Sequence, residues 1–171
     1  LLLSPLGDAD PADVRRLGGV LRRLARETDP DQRPAPSGEL LRRLLVDLVA
    51  DPATVLPVQQ SATGRDARAR HAQEAVVRVA RLLHAAREVM ARRGSTEEVL
   101  WTVWSGSNGR GGSGWPRRLE QAALRGGDGG RRADSDLDAV LALFAAAERA
   151  EDRFGGRRGV ANFLAELDSQ V

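Results

Sequence analysis

Six arginines fall between positions 106 and 132 (Arg110, Arg117, Arg118, Arg125, Arg131 and Arg132), against only Glu120 and Asp128, a local excess of four positive charges. A guanidinium is planar, permanently charged and able to donate two hydrogen bonds at once to a phosphate. A run of this kind is suited to gripping a polyanion, and its contact with a duplex backbone is sequence-independent and weakened by salt. Trp115 stands next to this run and has the flat face needed to stack on a base or a partner surface. The candidate contact residues are therefore Arg110, Trp115, Arg117, Arg118, Arg131 and Arg132. A second outcome stays open. Residues 133–171 hold eight acids against four arginines, and Asp134, Asp136 and Asp138 could pair with the upstream arginines and simply hold a helical bundle together.

Other chemistries find little to work with. Ser105 to Gly114 is rich in glycine, but it follows no expected strand and the chain has no lysine to reach a terminal phosphate, so it is not a nucleotide-binding loop. A flexible surface loop over residues 105–114 is expected instead. His71 and His84 are the only histidines, thirteen residues apart on one expected helix, with no carboxylate cluster at ligand spacing, so no metal site is expected. His84 reads as a partly buried helix residue. No Gly-x-Ser-x-Gly elbow supports nucleophilic catalysis. Cysteine is absent, which removes disulfides and thiolate metal sites and suits a cytoplasmic setting. No stretch approaches the roughly 20 uninterrupted apolar residues of a membrane span. Leu1-Leu2-Leu3 lacks a basic lead-in and reads as the start of a piece of a longer chain, not as a signal peptide.

The elements that must carry these residues are helical throughout. Apolar residues are 42% of the 171 positions, chiefly Leu, Ala and Val at three- and four-residue steps. Asp10-Pro11 opens a first helix with the stripe Val14, Leu17, Leu21 and Leu24. Three prolines in residues 28–36 forbid its continuation. Ser37 is expected to cap a second helix carrying Leu40, Leu41, Leu44, Leu45, Leu48 and Val49, ended by Asp51-Pro52. The longest helix is expected over about 65–93, roughly 40 Å at 1.5 Å per residue, with a seam of Val76, Val79, Leu83, Ala86 and Met90. Gly94 stops it, and Ser95 with Glu98 forms a capping box for a short helix in which Trp101 and Trp104 are expected to fill a helix junction. A helix over 116–125 follows. Gly126-Gly127 and Gly129-Gly130 are expected to break the chain before a helix over about 134–154, with Leu137, Val140, Leu141, Phe144 and Ala147 on one side. Gly155-Gly156 precedes a last helix with Val160, Phe163, Leu164 and Leu167. The expectation is an all-α, irregular bundle of about seven helices, forming a single domain over 1–171.

Several longer stretches carry a family likeness. They are Leu2 to Asp10 with Val14 to Leu17, Glu97-Glu98-Val99-Leu100-Trp101 with Trp104, Gly114-Trp115-Pro116-Arg117-Arg118-Leu119, and Ala122 to Gly127. Arg131-Arg132-Ala133-Asp134 with Asp136 to Val140, Arg153 to Val160, and Asn162-Phe163-Leu164 complete the set. In these the chain resembles the helical insertion called 2B, set within the second motor domain of actinobacterial UvrD/Rep-like and RecB-like superfamily 1 DNA helicases. It departs from them in the run Ser107 to Gly112, which looks inserted into the usual Ser-Gly-Trp-Pro spacing. The resemblance implies an accessory domain of an ATP-dependent 3′-to-5′ helicase that contacts duplex DNA and modulates unwinding in repair or recombination. It implies that ATP, magnesium and all catalytic motifs belong to motor domains outside this segment. The implied partners are duplex DNA, the remaining helicase domains and, in two-motor helicase–nucleases, a second subunit. The competing expectation is a helical protein-interaction domain that docks a partner subunit without touching DNA.

Overall fold

Asp10 begins the first ordered helix as the sequence leads one to expect. Its carboxylate accepts a hydrogen bond of 2.7 Å from the Ala12 amide, satisfying one of the donors a helix start leaves open. The computed structural model describes residues 1–54, 56, 67–106, 114–154 and 156–169. These form α1 (Pro11–Thr28), α2 (Ser37–Ala50), α3 (Ala67–Ala91), α4 (Thr96–Gly106), α5 (Trp115–Arg125), α6 (Gly127–Phe154) and α7 (Gly156–Ser169). No strand occurs among the described residues, so the fold is all-α. Most of the expected glycine-rich loop, including Arg110, lies outside the described residues.

Contacts divide the chain into two units, residues 1–84 and 85–171. In unit 1, Leu17, Leu44, Leu48, Ala69, Ala72, Val76 and Ala80 form the core, with Val14, Leu21, Leu41 and Leu45 packed on it. The α1–α2 approach is close: a side chain on Gly18 would lie 2.7 Å from the Ser37 Cβ. Two side-chain contacts tie α3 to the N-terminal segment and to α2. The Arg78 guanidinium donates to the Gly7 carbonyl, and the His84 ring nitrogen Nδ1 lies 2.9 Å from the Val49 carbonyl oxygen, so His84 is the partly buried helix residue expected.

Unit 2 is centred on Ala147, Ala150 and Phe163, with Leu100, Leu143 and Leu167 against them. Here α6 packs on α4, α5 and α7. The capping box forms: the Glu98 amide donates to the Ser95 hydroxyl and the Ser95 amide to the Glu98 carboxylate, both at 3.1 Å. A second carboxylate also holds the α4 start. Glu151 of α6 accepts from the Thr96 amide at 3.1 Å and from its hydroxyl at 2.9 Å, and Thr96 is fully buried.

Five expectations need correction. α2 begins at Ser37, but its N-cap is Pro36, without a side-chain hydrogen bond. The longest helix is α6, with 28 residues against 25 for α3. Gly129-Gly130 do not break the chain; they lie inside α6. Gly costs a helix about 1 kcal/mol relative to Ala, but a side chain on Gly130 would press on the Ala122 and Ala123 carbonyls at 3.2 and 3.3 Å. Packing on α5 therefore outweighs propensity, and the turn is confined to Gly126 and Gly127, both at positive φ. In α3 the deep positions are Val76, Val79, Leu82, Ala86 and Val89, while Leu83 and Met90 are half-buried, so Leu82 and Val89 take the places expected for Leu83 and Met90. Finally, Leu141 points outward, 67% exposed, because the α6 core line runs through Leu143, Ala147 and Ala150.

Gly94 follows the end of α3, as expected, but the left-handed residue is its neighbour Arg93, at φ +62. The Gly94 amide donates to the Val89 carbonyl at 2.9 Å and the Arg93 amide to Met90 at 3.1 Å, the paired bonds of a Schellman end. Gly94 is needed for room: a side chain there would collide with Val89 and with the Glu98 carboxylate.

Candidate nucleic-acid interface

The α5–α6 hairpin positions the arginines. Gly114, in extended conformation, precedes α5, and Pro116 occupies the first turn, where its missing amide costs nothing. Leu119 is buried and Ala122 and Ala123 are half-buried, so this side of α5 packs on α6. Arg117, Arg118 and Arg125 are exposed. On α6, Gly130 and Ala133 are buried while Arg131 and Arg132 are exposed.

The ion pairs of Arg117 and Arg131 are local. Arg117 Nη1 lies 3.2 Å from Glu120 Oε2, with both side chains more than half exposed. Arg131 pairs with Asp128, likewise exposed. Neither of these two arginines is tied to Asp134, Asp136 or Asp138. Exposed pairs of this type contribute only about 0–1 kcal/mol, so a phosphate can displace them at small cost. Gly130 sits beside Ala122 and Ala123, which places Arg131 and Arg132 about five residues along α5 from Arg117 and Arg118. That is an axial stagger of roughly 8 Å at 1.5 Å per residue, or two to three phosphates of one strand at about 3.4 Å each.

The tryptophans are arranged differently from the sequence expectation. Trp104 and Trp115 meet edge to face, with centroids 5.2 Å apart and planes at 72°, and both are half-buried. They form the junction pair. Trp101 does not fill a junction: it is 60% exposed, its ring 6.4 Å from that of Phe144. The helical register carried a signal for this, since Glu97, one turn earlier on the same face of α4, is exposed too. Arg110 lies outside the described residues, so the structure assembles Trp115, Arg117 and Arg118 at the start of α5 and Arg131 and Arg132 near its other end.

Elsewhere the chemistry is sparse. Among the described residues, no group of three His, Cys, Asp or Glu side chains could hold a metal ion. No helix among them is long and apolar enough to cross a membrane. Glu39 of α2 is a strongly displaced acid: its pKa falls to about 2 because Arg42 and Arg43 hydrogen-bond its carboxylate, and the same contact raises that of Arg42. Glu39, Arg42 and Arg43 form a surface ion cluster on α2.

The class that fold and site define is an all-α chain of two units with an arginine-bearing helical hairpin. No protein-family model, no curated protein and no solved structure matches it.

Proposed function

We propose that this chain is a DNA-proximal accessory domain of an ATP-dependent helicase of the UvrD/Rep type, acting by electrostatic contact with duplex and not by chemistry of its own. The observation that carries the reading is the placement of Arg117, Arg118, Arg131 and Arg132, all exposed and staggered along one packed hairpin. The sequence resemblance supplies the helicase setting. Trp115 adds an aromatic group beside Arg117 and Arg118. In this reading ATP and magnesium are bound by motor domains beyond this segment, whose flanking sequence would carry a Walker Gly-Lys-Thr. The setting is cytoplasmic DNA repair or recombination.

The test is fluorescence anisotropy of the chain with two labelled duplexes of unrelated sequence. The expected result is weak binding, with dissociation constants of roughly 10⁻⁴–10⁻⁶ M at physiological salt, equal for the two and steeply weakened as salt rises. Absence of binding at low salt would overturn the proposal.

A further inference from the structure

α4 and α6 carry an apolar surface that the core of unit 2 does not use. Trp101 is 60% exposed and Leu141 67% exposed, and the half-buried Phe144 links them, its ring edge-on to Trp101. Leu141 lies three residues before Phe144, on the neighbouring strip of the helix. Exposed carboxylates surround this strip. Glu97 is one turn before Trp101, Asp138 is three residues before Leu141, and Glu148 is four residues after Phe144. At roughly 100° per residue, Asp134, Glu148 and Asp152 fall within about 20° of Leu141 around α6, and Asp138 within about 60°. Among the arginines of α6, Arg131 and Arg149 come angularly nearest to Leu141, about 80° away around the helix. Among the described residues, the ion pairs of α5 and α6 join Arg117 to Glu120 and Arg131 to Asp128 and leave all five of these carboxylates out. The result is a strip about 27 Å long, apolar at its centre and acidic at its rim. A large aromatic ringed by polar groups is the usual make-up of an interface hot spot.

We propose that this α4–α6 face docks a short amphipathic helix of a partner protein. Leucine-like side chains at i, i+4 and i+7 would lie on Trp101, Leu141 and Phe144. Arginine or lysine on the flanks would face Glu97, Asp134, Asp138, Glu148 and Asp152. Charge selects this occupant: five carboxylates repel a nucleic acid or an anionic membrane, and a second copy of the same face would set acid against acid. The inference goes beyond duplex contact and uses none of its residues, so either can fail without the other.

The experiment titrates the 171-residue chain into a labelled synthetic peptide of about five helical turns, with leucine on one face and arginine on the other. Two companion peptides carry glutamate in place of arginine, or serine in place of leucine. Only the first should bind. Leu141→Lys and Trp101→Ala, both at exposed positions, should each weaken it by roughly tenfold or more with an unchanged melting temperature, and Asp138→Lys with Glu148→Lys should do the same. Equal binding of the serine peptide would overturn the proposal, as would indifference to Leu141→Lys and Trp101→Ala. So would self-association of the chain, seen by sedimentation, that Trp101→Ala abolishes.

Discussion

In unit 1 the large apolar side chains of α1, α2 and α3 converge on one cluster around Leu17, Leu44, Leu48 and Val76. In unit 2 the centre is made of two alanines and Phe163, while Trp101, Leu124, Leu141 and Leu164 are exposed. Small residues let α6 approach α5 and α7 closely, so the bulkier side chains are not needed inside and remain on the surface. The candidate arginine edge and the acidic apolar strip are both in unit 2. The contrast places the large apolar side chains of unit 1 in its core and leaves those of unit 2 at the surface, where the two proposed contacts would be made.

Paired truncations should break or sharpen this contrast. Leu17 is 0% exposed, and Leu17→Ala should cost about 2–5 kcal/mol in urea unfolding through lost burial and the cavity left behind. Leu141→Ala should stay within about 0.5 kcal/mol of the parent. Comparable losses would mean that Leu141 supports the core after all. The α3 end allows a finer comparison. Gly94→Ala drives a methyl into Val89 and Glu98 and should cost about 1–3 kcal/mol. Arg93→Gly relieves a left-handed residue and should add about 0.5–1 kcal/mol, the backbone relief less the added freedom of the unfolded chain.

The smallest effect is a pH dependence on unit 1. Glu39 has its pKa lowered to about 2 by Arg42 and Arg43. A depressed folded-state pKa contributes stability above the unfolded value and loses it as pH falls through the folded one. Its contribution is therefore fully present near neutrality and disappears as pH drops from about 4.5 toward 2. Glu39→Gln should slightly lower the melting temperature near pH 7 and not near pH 2, a difference that scanning calorimetry at both pH values will show. Because Glu39 is half-buried at the surface and its partners Arg42 and Arg43 are well exposed, the change should be small and should shrink further in high salt.

Much of the fold was legible because local signals agreed with packing. Asp10-Pro11, the Ser95–Glu98 box and the prolines of residues 28–36 mark helix ends by mechanisms that need no tertiary partner. The misreadings occurred where packing decides. Gly129-Gly130 read as a break because propensity says so, and only the approach of α6 to the Ala122 and Ala123 carbonyls reverses that. Leu141 and Trp101 read as inward because periodicity allows several rotations of a stripe, and the rotation is fixed by the neighbours. Of the candidate site, residue types and helix positions were legible. The partners Glu120 and Asp128, one turn from Arg117 and Arg131, were visible as spacings, but the choice between them and the acids Asp134, Asp136 and Asp138 required coordinates.

The central claim is that the hairpin arginines serve a polyanion and not the bundle. Its most direct test is the salt dependence of duplex binding by Arg117→Ala with Arg118→Ala, measured alongside melting temperature on the same preparation. Losing two phosphate contacts should weaken binding equally for all sequences and flatten the slope of log affinity against log salt by about two units, while the melting temperature stays within a few degrees of the parent. An unchanged slope accompanied by a large fall in melting temperature would contradict the account and make these arginines structural.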